Sequence, residues 1–285
     1  MNYRHAFHAG NFADVFKHSV LCLLLGHLAG KDTPFRVIDT HAGRGRYDLA
    51  GEEAVRTGES TSGIGRVPPT APWPPGLDGL MAVVRSVNDD WPALRIYPGS
   101  PTIIRAALRP ADRLTLVELS PDEVRFLRSD FAGDSRIVIR PGDAYAALKA
   151  LLPPPERRGL VLIDPPFEDR DEFRLILAGL KQALRRWPTG IYAVWYPTKA
   201  ADLVERFTAE LGQLGRPCLT AEFHMAACPD GERLNGCGLA ILNPPWKLED
   251  ALAQLLPALR SALGATGEAR VRWLAGEPAP DSTNR

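Results

Sequence analysis

The chain has 285 residues, 45% of them hydrophobic, which is long for one simple domain but ordinary for an α/β domain carrying an insertion. Its 34 basic and 34 acidic residues cancel, which excludes a global basic field for nucleic acid and leaves any phosphate contact to a local patch. Cys22, Cys218, Cys228 and Cys237 show no CxxC spacing and read as reduced thiols of a cytoplasmic protein, the start Met-Asn-Tyr-Arg-His is not a signal peptide, and the apolar run 20–25 is too short to cross a membrane.

The opening packs Tyr3, Arg4, His5, Phe7 and His8 into one short stretch. It reads equally as an unstructured terminus or as a segment that touches bases and phosphates. Asn11 is placed to cap a helix ending near Gly30, with Val15, Val20, Leu21, Leu24, Leu25 and Leu28 on its buried side. On this pattern Lys17 and His18 face solvent. Residues 35–39 form a strand ending in Asp39, followed by Thr40-His41-Ala42-Gly43-Arg44-Gly45-Arg46-Tyr47. An acid at a strand end before a glycine-bearing loop is a nucleotide-binding signal, because glycine lets the backbone approach a ligand closely. His41 stands where a D-x-G-x-G-x-G pattern has its first glycine. It is expected to crowd or contact the ligand, unless it only bonds nearby backbone.

Residues 51–95 interrupt the alternation with a Ser/Thr/Gly stretch, a proline-rich run at 67–76 and a helix at 77–91 whose apolar face is Leu80, Val83, Val84 and Val87. This reads as an inserted helical subdomain. Tyr97-Pro98-Gly99-Ser100-Pro101 reads as a turn, with Ser100 an N-cap and Pro101 opening a helix. The alternation then resumes. Strand 114–118 ends in Glu118, helix 121–131 follows, and strand 136–140 runs into Gly142-Asp143-Ala144 and a helix to 151. Strand 160–163 ends at Asp164, and helix 170–187, strand 191–196 and helix 200–214 come next. Leu203, Val204, Phe207 and Leu211 mark one face of that last helix. Strands 219–225 and 238–242, a helix after Asn243-Pro244-Pro245-Trp246 and an edge strand at 270–274 close the fold. The expected organisation is one Rossmann-like α/β domain over 1–50 and 96–275, with 51–95 inserted and a disordered tail at 276–285.

The stretch 160–167 draws the rest together. Its apolar run suits a strand buried on both faces, and Asp164-Pro165-Pro166-Phe167 stops it abruptly. A stiff loop at the carboxyl end of a buried strand is where open α/β sheets bind ligands. An aromatic amine such as N6 of adenine is a poor nucleophile, and two acceptors on its two N–H groups draw its lone pair out of the ring. The Asp164 carboxylate and the Pro165 carbonyl can be that pair, and Phe167 can stack on a flipped or single-stranded base. Asp39 with Gly43 and Gly45, then Glu118, then Asp143, then Asp164 stand at four successive strand ends. That set suits S-adenosylmethionine (AdoMet). Glu118 takes the ribose hydroxyls, Asp143 with the Ala144 N–H takes the adenine edge, and the carboxylates suit a sulfonium.

Several stretches resemble the bacterial ribosomal large-subunit (23S) RNA adenine-N6 methyltransferase J family. They are the opening Tyr-Arg-His-x-Phe-His-Ala-Gly-Asn, the Asp-Thr-His-Ala-Gly-Arg-Gly-Arg-Tyr loop, Tyr-Pro-Gly-Ser-Pro, Ile-Asp-Pro-Pro-Phe and Asn-Pro-Pro-Trp-Lys-Leu-Glu. The resemblance implies AdoMet-dependent N6 methylation of one adenosine in that RNA by a single chain that is cytoplasmic and not membrane-bound. It implies His18, His41, Gly43, Ser100, Glu118, Asp143, Ala144 and Asp164 as cofactor positions, against the solvent-facing reading of His18. Asp164, Pro165 and Phe167 become catalytic, and Tyr3, Arg4, His5 and Phe167 meet the substrate. Many relatives have Tyr where Phe167 stands, so stacking survives without a hydroxyl. No metal ligand set is visible. The alternatives are a DNA adenine or protein glutamine methylase, and a nucleic-acid-binding protein of the same fold that has lost catalysis.

Overall fold

The computed structural model describes residues 4–169, 171–227 and 234–276. Its first half comprises α1 (Phe12–Ala29), β1 (Arg36–Asp39), β2 (Arg46–Asp48), α2 (Glu52–Thr57), α3 (Glu59–Ser62), α4 (Pro75–Ser86), β3 (Ile96–Pro98), α5 (Ser100–Ala107), β4 (Arg113–Glu118), α6 (Pro121–Asp130) and β5 (Ile137–Pro141). Then come α7 (Ala144–Leu151), β6 (Gly159–Ile163), α8 (Glu172–Arg186), β7 (Ile191–Pro197), α9 (Ala201–Gly212), β8 (Cys218–His224), β9 (Gly236–Leu242), α10 (Leu248–Leu263) and β10 (Ala269–Ala275).

Eight strands form one sheet in the order β10-β8-β9-β7-β6-β1-β4-β5. The five from β5 to β7 are parallel, and β9, β8 and β10 extend the edge with antiparallel pairings. From β1 the chain winds outward through β4 to β5, and from β6 it winds the other way to β7. The β1–β6 boundary is therefore the switch point, where the loops after the two strands part and leave a crevice. Strand side chains alternate between the faces. Val37, Leu160, Leu162 and Ala193 join the core under α1, α4, α5 and α10, while Ile38, Val161, Ile163 and Val194 join the core with α7, α8 and α9. This is the Rossmann-like architecture the alternation predicted.

The α1 helix begins where Asn11 accepts a hydrogen bond from the Asp14 N–H and ends at Gly30. By length and composition it could cross a membrane, but 72% of it is buried inside the protein. It packs against α4, α5 and α10. The segment 51–95 leaves and returns through β2 and β3, an antiparallel pair in register Tyr47 to Tyr97. Three-residue strands carry too little alternation to be read from sequence, so Tyr97 and Pro98 belong to a strand rather than to a turn. The α4 helix stops at Ser86, short of the expected 91, because the Asn88 side chain takes over. It donates to the Val84 and Ile96 carbonyls and accepts from the Arg95 and Ile96 N–H groups. On α9, Leu203 is exposed, and Phe207 and Leu211 carry the packing. Cys22, Cys218 and Cys237 are free thiols. Cys228 and the tail 277–285 lie outside the described residues.

Candidate active site

A cleft of about 1530 Å³ opens at the carboxyl ends of the parallel strands. Arg4, His5, His18, His41, Gly43, Ser100, Glu118, Asp143, Ala144, Asp164, Pro165 and Phe167, the expected site residues, all line it. Tyr3, the remaining one, lies outside the described residues. Carboxylates outnumber lysine and arginine in the lining, so the cleft favours a cationic ligand and disfavours phosphate.

One wall comes from the first turns of α1. Asp14, Lys17 and His18 stand at i, i+3 and i+4 and share a helix face. All three are buried, at 1%, 5% and 2% exposure, which corrects the solvent-facing reading of Lys17 and His18. Lys17 Nζ lies 3.0 Å from Asp14 Oδ1 and 2.5 Å from Asp164 Oδ2. The other Asp14 oxygen takes His5 Nε2 at 2.9 Å and the Gly10 N–H at 2.9 Å. A chain of charge thus runs from the opening segment through Asp14 and Lys17 to Asp164. Burial works against both charges inside it. The neighbours His5 and Lys17 still hold the Asp14 carboxyl well below the ordinary range, and Asp14 and Asp164 hold Lys17 well above its own.

The opening is ordered in the described residues. It makes a 3-10 turn at His5–Phe7, and His8 and Asn11 each reach Glu59 at 3.0 Å. The Glu59 carboxylate draws the His8 pKa upward. Sequence gave no notice of the Asp14–Lys17 pair. The available signal was two opposite charges one turn apart in an otherwise apolar helix.

The floor is made by the strand ends. Glu118 accepts from the Gly43 N–H and the Ser120 N–H, both at 2.7 Å, one on each oxygen, and each oxygen keeps a lone pair for another donor. Burial raises its pKa. Gly43 has φ +59°, and a Cβ there would sit 2.5 Å from the Tyr47 hydroxyl, so only glycine fits. Ser100 does not cap α5, whose N-cap is Gly99. Instead its hydroxyl donates to Asp39 Oδ2 at 2.7 Å, deep in the fold. Burial pushes Asp39 up to about 7 against that hydrogen bond. Asp143 caps α7 by accepting from the Ala146 N–H. Tyr145, which sequence did not single out, meets the His41 ring edge-on and bonds Glu172. Among the described residues no group of three or more His, Cys, Asp or Glu is arranged to hold a metal ion.

Asp164 sits at the switch point with Oδ2 committed to Lys17. Phe167 has φ +51°, an unusual conformation for a residue with a side chain. Its ring is wedged edge-on between Phe173 at 5.0 Å and Trp195 at 5.7 Å. That packing holds the strained backbone and makes the ring a fixed wall of the cleft.

The second Pro-Pro motif lies elsewhere. Because β9 runs antiparallel to β7, Asn243 at its end is at the opposite end of the sheet from Asp164. Asn243 does not cap the following helix, whose N-cap is Lys247. At φ +52°, Asn243 instead donates from Nδ2 to the Pro188 and Gly190 carbonyls. Asn243→Ala should therefore cost about 2–3 kcal/mol, more than a lost cap, because two hydrogen bonds go and alanine tolerates that backbone poorly. Urea unfolding checks this, and methylation by the folded variant should be normal.

Residues 32–275 match the family described as ribosomal RNA large subunit methyltransferase D, RlmJ. The ribosomal RNA large subunit methyltransferase J of Escherichia coli (strain K12) is 44% identical over 282 residues, covering 97% of this chain and 100% of that protein. The protein of the same name from Haemophilus influenzae is 38% identical over 280 residues, with the same coverage. The crystal structure of protein LPL1258 from Legionella pneumophila superposes with a TM-score of 0.85 at 35% identity, covering 94% of this chain and 98% of that one.

Proposed function

The chain belongs to the family described as ribosomal RNA large subunit methyltransferase D, RlmJ, and from that membership we propose that it methylates the N6 amine of an adenosine in large-subunit (23S) ribosomal RNA. The observation that carries the chemistry is Asp164-Pro165-Pro166-Phe167 at the switch point, facing a carboxylate-rich cleft. The methyl donor is AdoMet, which supplies an electrophilic methyl group on a sulfonium. The lining fits it. Glu118 would offer lone pairs to its ribose hydroxyls, Gly43 would allow close approach, and Asp143 with the Ala144 N–H would take its adenine edge.

Asp164 Oδ1 and the Pro165 carbonyl accept the two N–H groups of the target amine and orient its lone pair. Lys17 fixes the Asp164 side chain through Oδ2. With Oδ2 held by Lys17, the carboxylate presents Oδ1 to orient the amine. Phe167 stacks on the flipped base. The acid-rich lining keeps the RNA backbone at the rim, where Arg4 is exposed. All these groups come from one chain, which supports reading the active unit as a monomer that works in the cytoplasm on ribosomal RNA.

Incubation with deproteinised large-subunit RNA, DNA and protein, followed by nucleoside and peptide mass spectrometry, tests the reading. N6-methyladenosine should appear in the RNA alone. Label in DNA or on glutamine, or binding without turnover, would replace the reading. Glu118→Ala should weaken AdoMet binding by about 2–3 kcal/mol, the scale of a charged hydrogen-bond pair. Calorimetric titration giving wild-type affinity would remove Glu118 from the cofactor site.

A further inference from the structure

Two histidines line the cleft, His18 buried and His41 half-buried, and each has one ring nitrogen engaged by a hydroxyl. His18 Nδ1 lies 2.9 Å from the Tyr97 hydroxyl, with the rings stacked at 5.6 Å. His41 Nδ1 lies 2.9 Å from Thr40 Oγ1. In both cases Nε2 is the nitrogen left for a ligand. Both rings are neutral, because burial pushes His18 down to about 3 and His41 down to about 4. A neutral imidazole has one donor and one acceptor, and the partner on Nδ1 decides which of them Nε2 is.

The two hydroxyls decide oppositely. The Thr40 hydroxyl spends its only proton on the Leu162 carbonyl, at 2.9 Å. Thr40 Oγ1 therefore accepts from His41 Nδ1–H, and His41 Nε2 carries a lone pair. Tyr97 is fully buried, and its hydroxyl bonds His18. Were it to accept from His18, its own proton would be left buried with no acceptor, which is unfavourable. Burial also holds the Tyr97 proton firmly in place. Tyr97 therefore donates to His18 Nδ1, and His18 Nε2 carries the proton.

We propose that Tyr97 and Thr40 are positioning residues that lock the two cleft histidines in opposite tautomers, His18 as a donor and His41 as an acceptor, to hold a zwitterionic amino-acid group. The His18 Nε2–H takes the carboxylate, and the His41 Nε2 takes an ammonium N–H. On the reading of the cleft as an AdoMet site, that group is the methionine end of the donor. Neutral rings suit it, since a charged imidazolium would repel the ammonium and the sulfonium.

The test reads tautomers directly, by ¹⁵N NMR of histidine-labelled protein without RNA, so it can fail while methylation stands. His18 should show a protonated Nε2 and His41 a protonated Nδ1. The reverse assignment of either overturns the proposal, and this needs no variant to fold. Tyr97→Phe should shift the His18 signature and weaken S-adenosylhomocysteine binding roughly tenfold, with no loss for 5′-methylthioadenosine, which lacks the amino-acid end. The KM for AdoMet should rise with kcat little changed. Thr40→Val should shift the His41 signature and weaken the same ligand. Unchanged tautomers and affinities in both folded variants, or equal losses for the two ligands, would overturn the assignment.

Discussion

Asp164→Asn is expected to lower the single-turnover rate of methyl transfer by roughly 10³-fold, within the range seen when a positioned acid–base group is lost. The amide keeps the size of the carboxylate. It carries only one acceptor oxygen, and its Nδ2 is a donor. Lys17, 2.5 Å from Asp164 Oδ2, claims the acceptor oxygen, because its own donors cannot face another donor. The amide nitrogen is then turned toward the substrate amine, where it repels the N–H groups that the carboxylate attracted. AdoMet binding should change by only a few fold, since Glu118 and the Gly43 loop are untouched. A near-normal rate in the folded variant would remove Asp164 from the chemistry.

Lys17→Met is the second large effect, and it falls on stability as well as rate. Lys17 lies between two carboxylates at 5% exposure. Removing it leaves Asp14 buried beside a like charge, with only His5 and the Gly10 N–H in support. Breaking a buried ion pair by deleting one partner costs about 3–5 kcal/mol. Urea unfolding of the variant should show a loss of that order, and methylation should be lost with it. Asp14→Asn in the same background should recover part of the stability and none of the activity.

The pH dependence follows from the directions of the shifts. Asp14 is depressed in the folded state, so its contribution is present above its ordinary value of 3.8 and is lost as pH falls below it. Lys17 is raised, so its contribution is complete below its ordinary value of 10.5 and is lost as pH rises through the higher folded value. The wild type should lose stability from Asp14 only in strong acid. In Lys17→Met the Asp14 pKa moves up, and that loss should begin at higher pH.

Much of this architecture was legible because it rests on local rules. The parallel strands β1, β4 and β6 announced themselves as apolar runs ending in acids, α1 by Asn11 before it and Gly30 after it, and the switch-point loop by two prolines. What was hidden depends on distant partners. Lys17 reads as a surface residue until the end of β6 brings Asp164 to it across the fold. Ser100 has the sequence of a cap, but the buried Asp39 oxygen is a stronger acceptor, and the neighbouring glycine takes the cap position. Asn243 likewise resembles a cap until the loop before β7 presents two carbonyls to it. The β2–β3 pair was missed because three residues show no period, and with it the partner that orients His18.

The central claim is that one adenosine of large-subunit ribosomal RNA receives its N6 methyl group from this chain through Asp164. Nucleoside mass spectrometry of that RNA from cells lacking the gene, complemented in turn with wild type and with Asp164→Asn, tests it most directly. One N6-methyladenosine should disappear on deletion, return with the wild type and stay absent with the variant. Unchanged N6-methyladenosine in the deletion, or its full return with Asp164→Asn, would contradict the account.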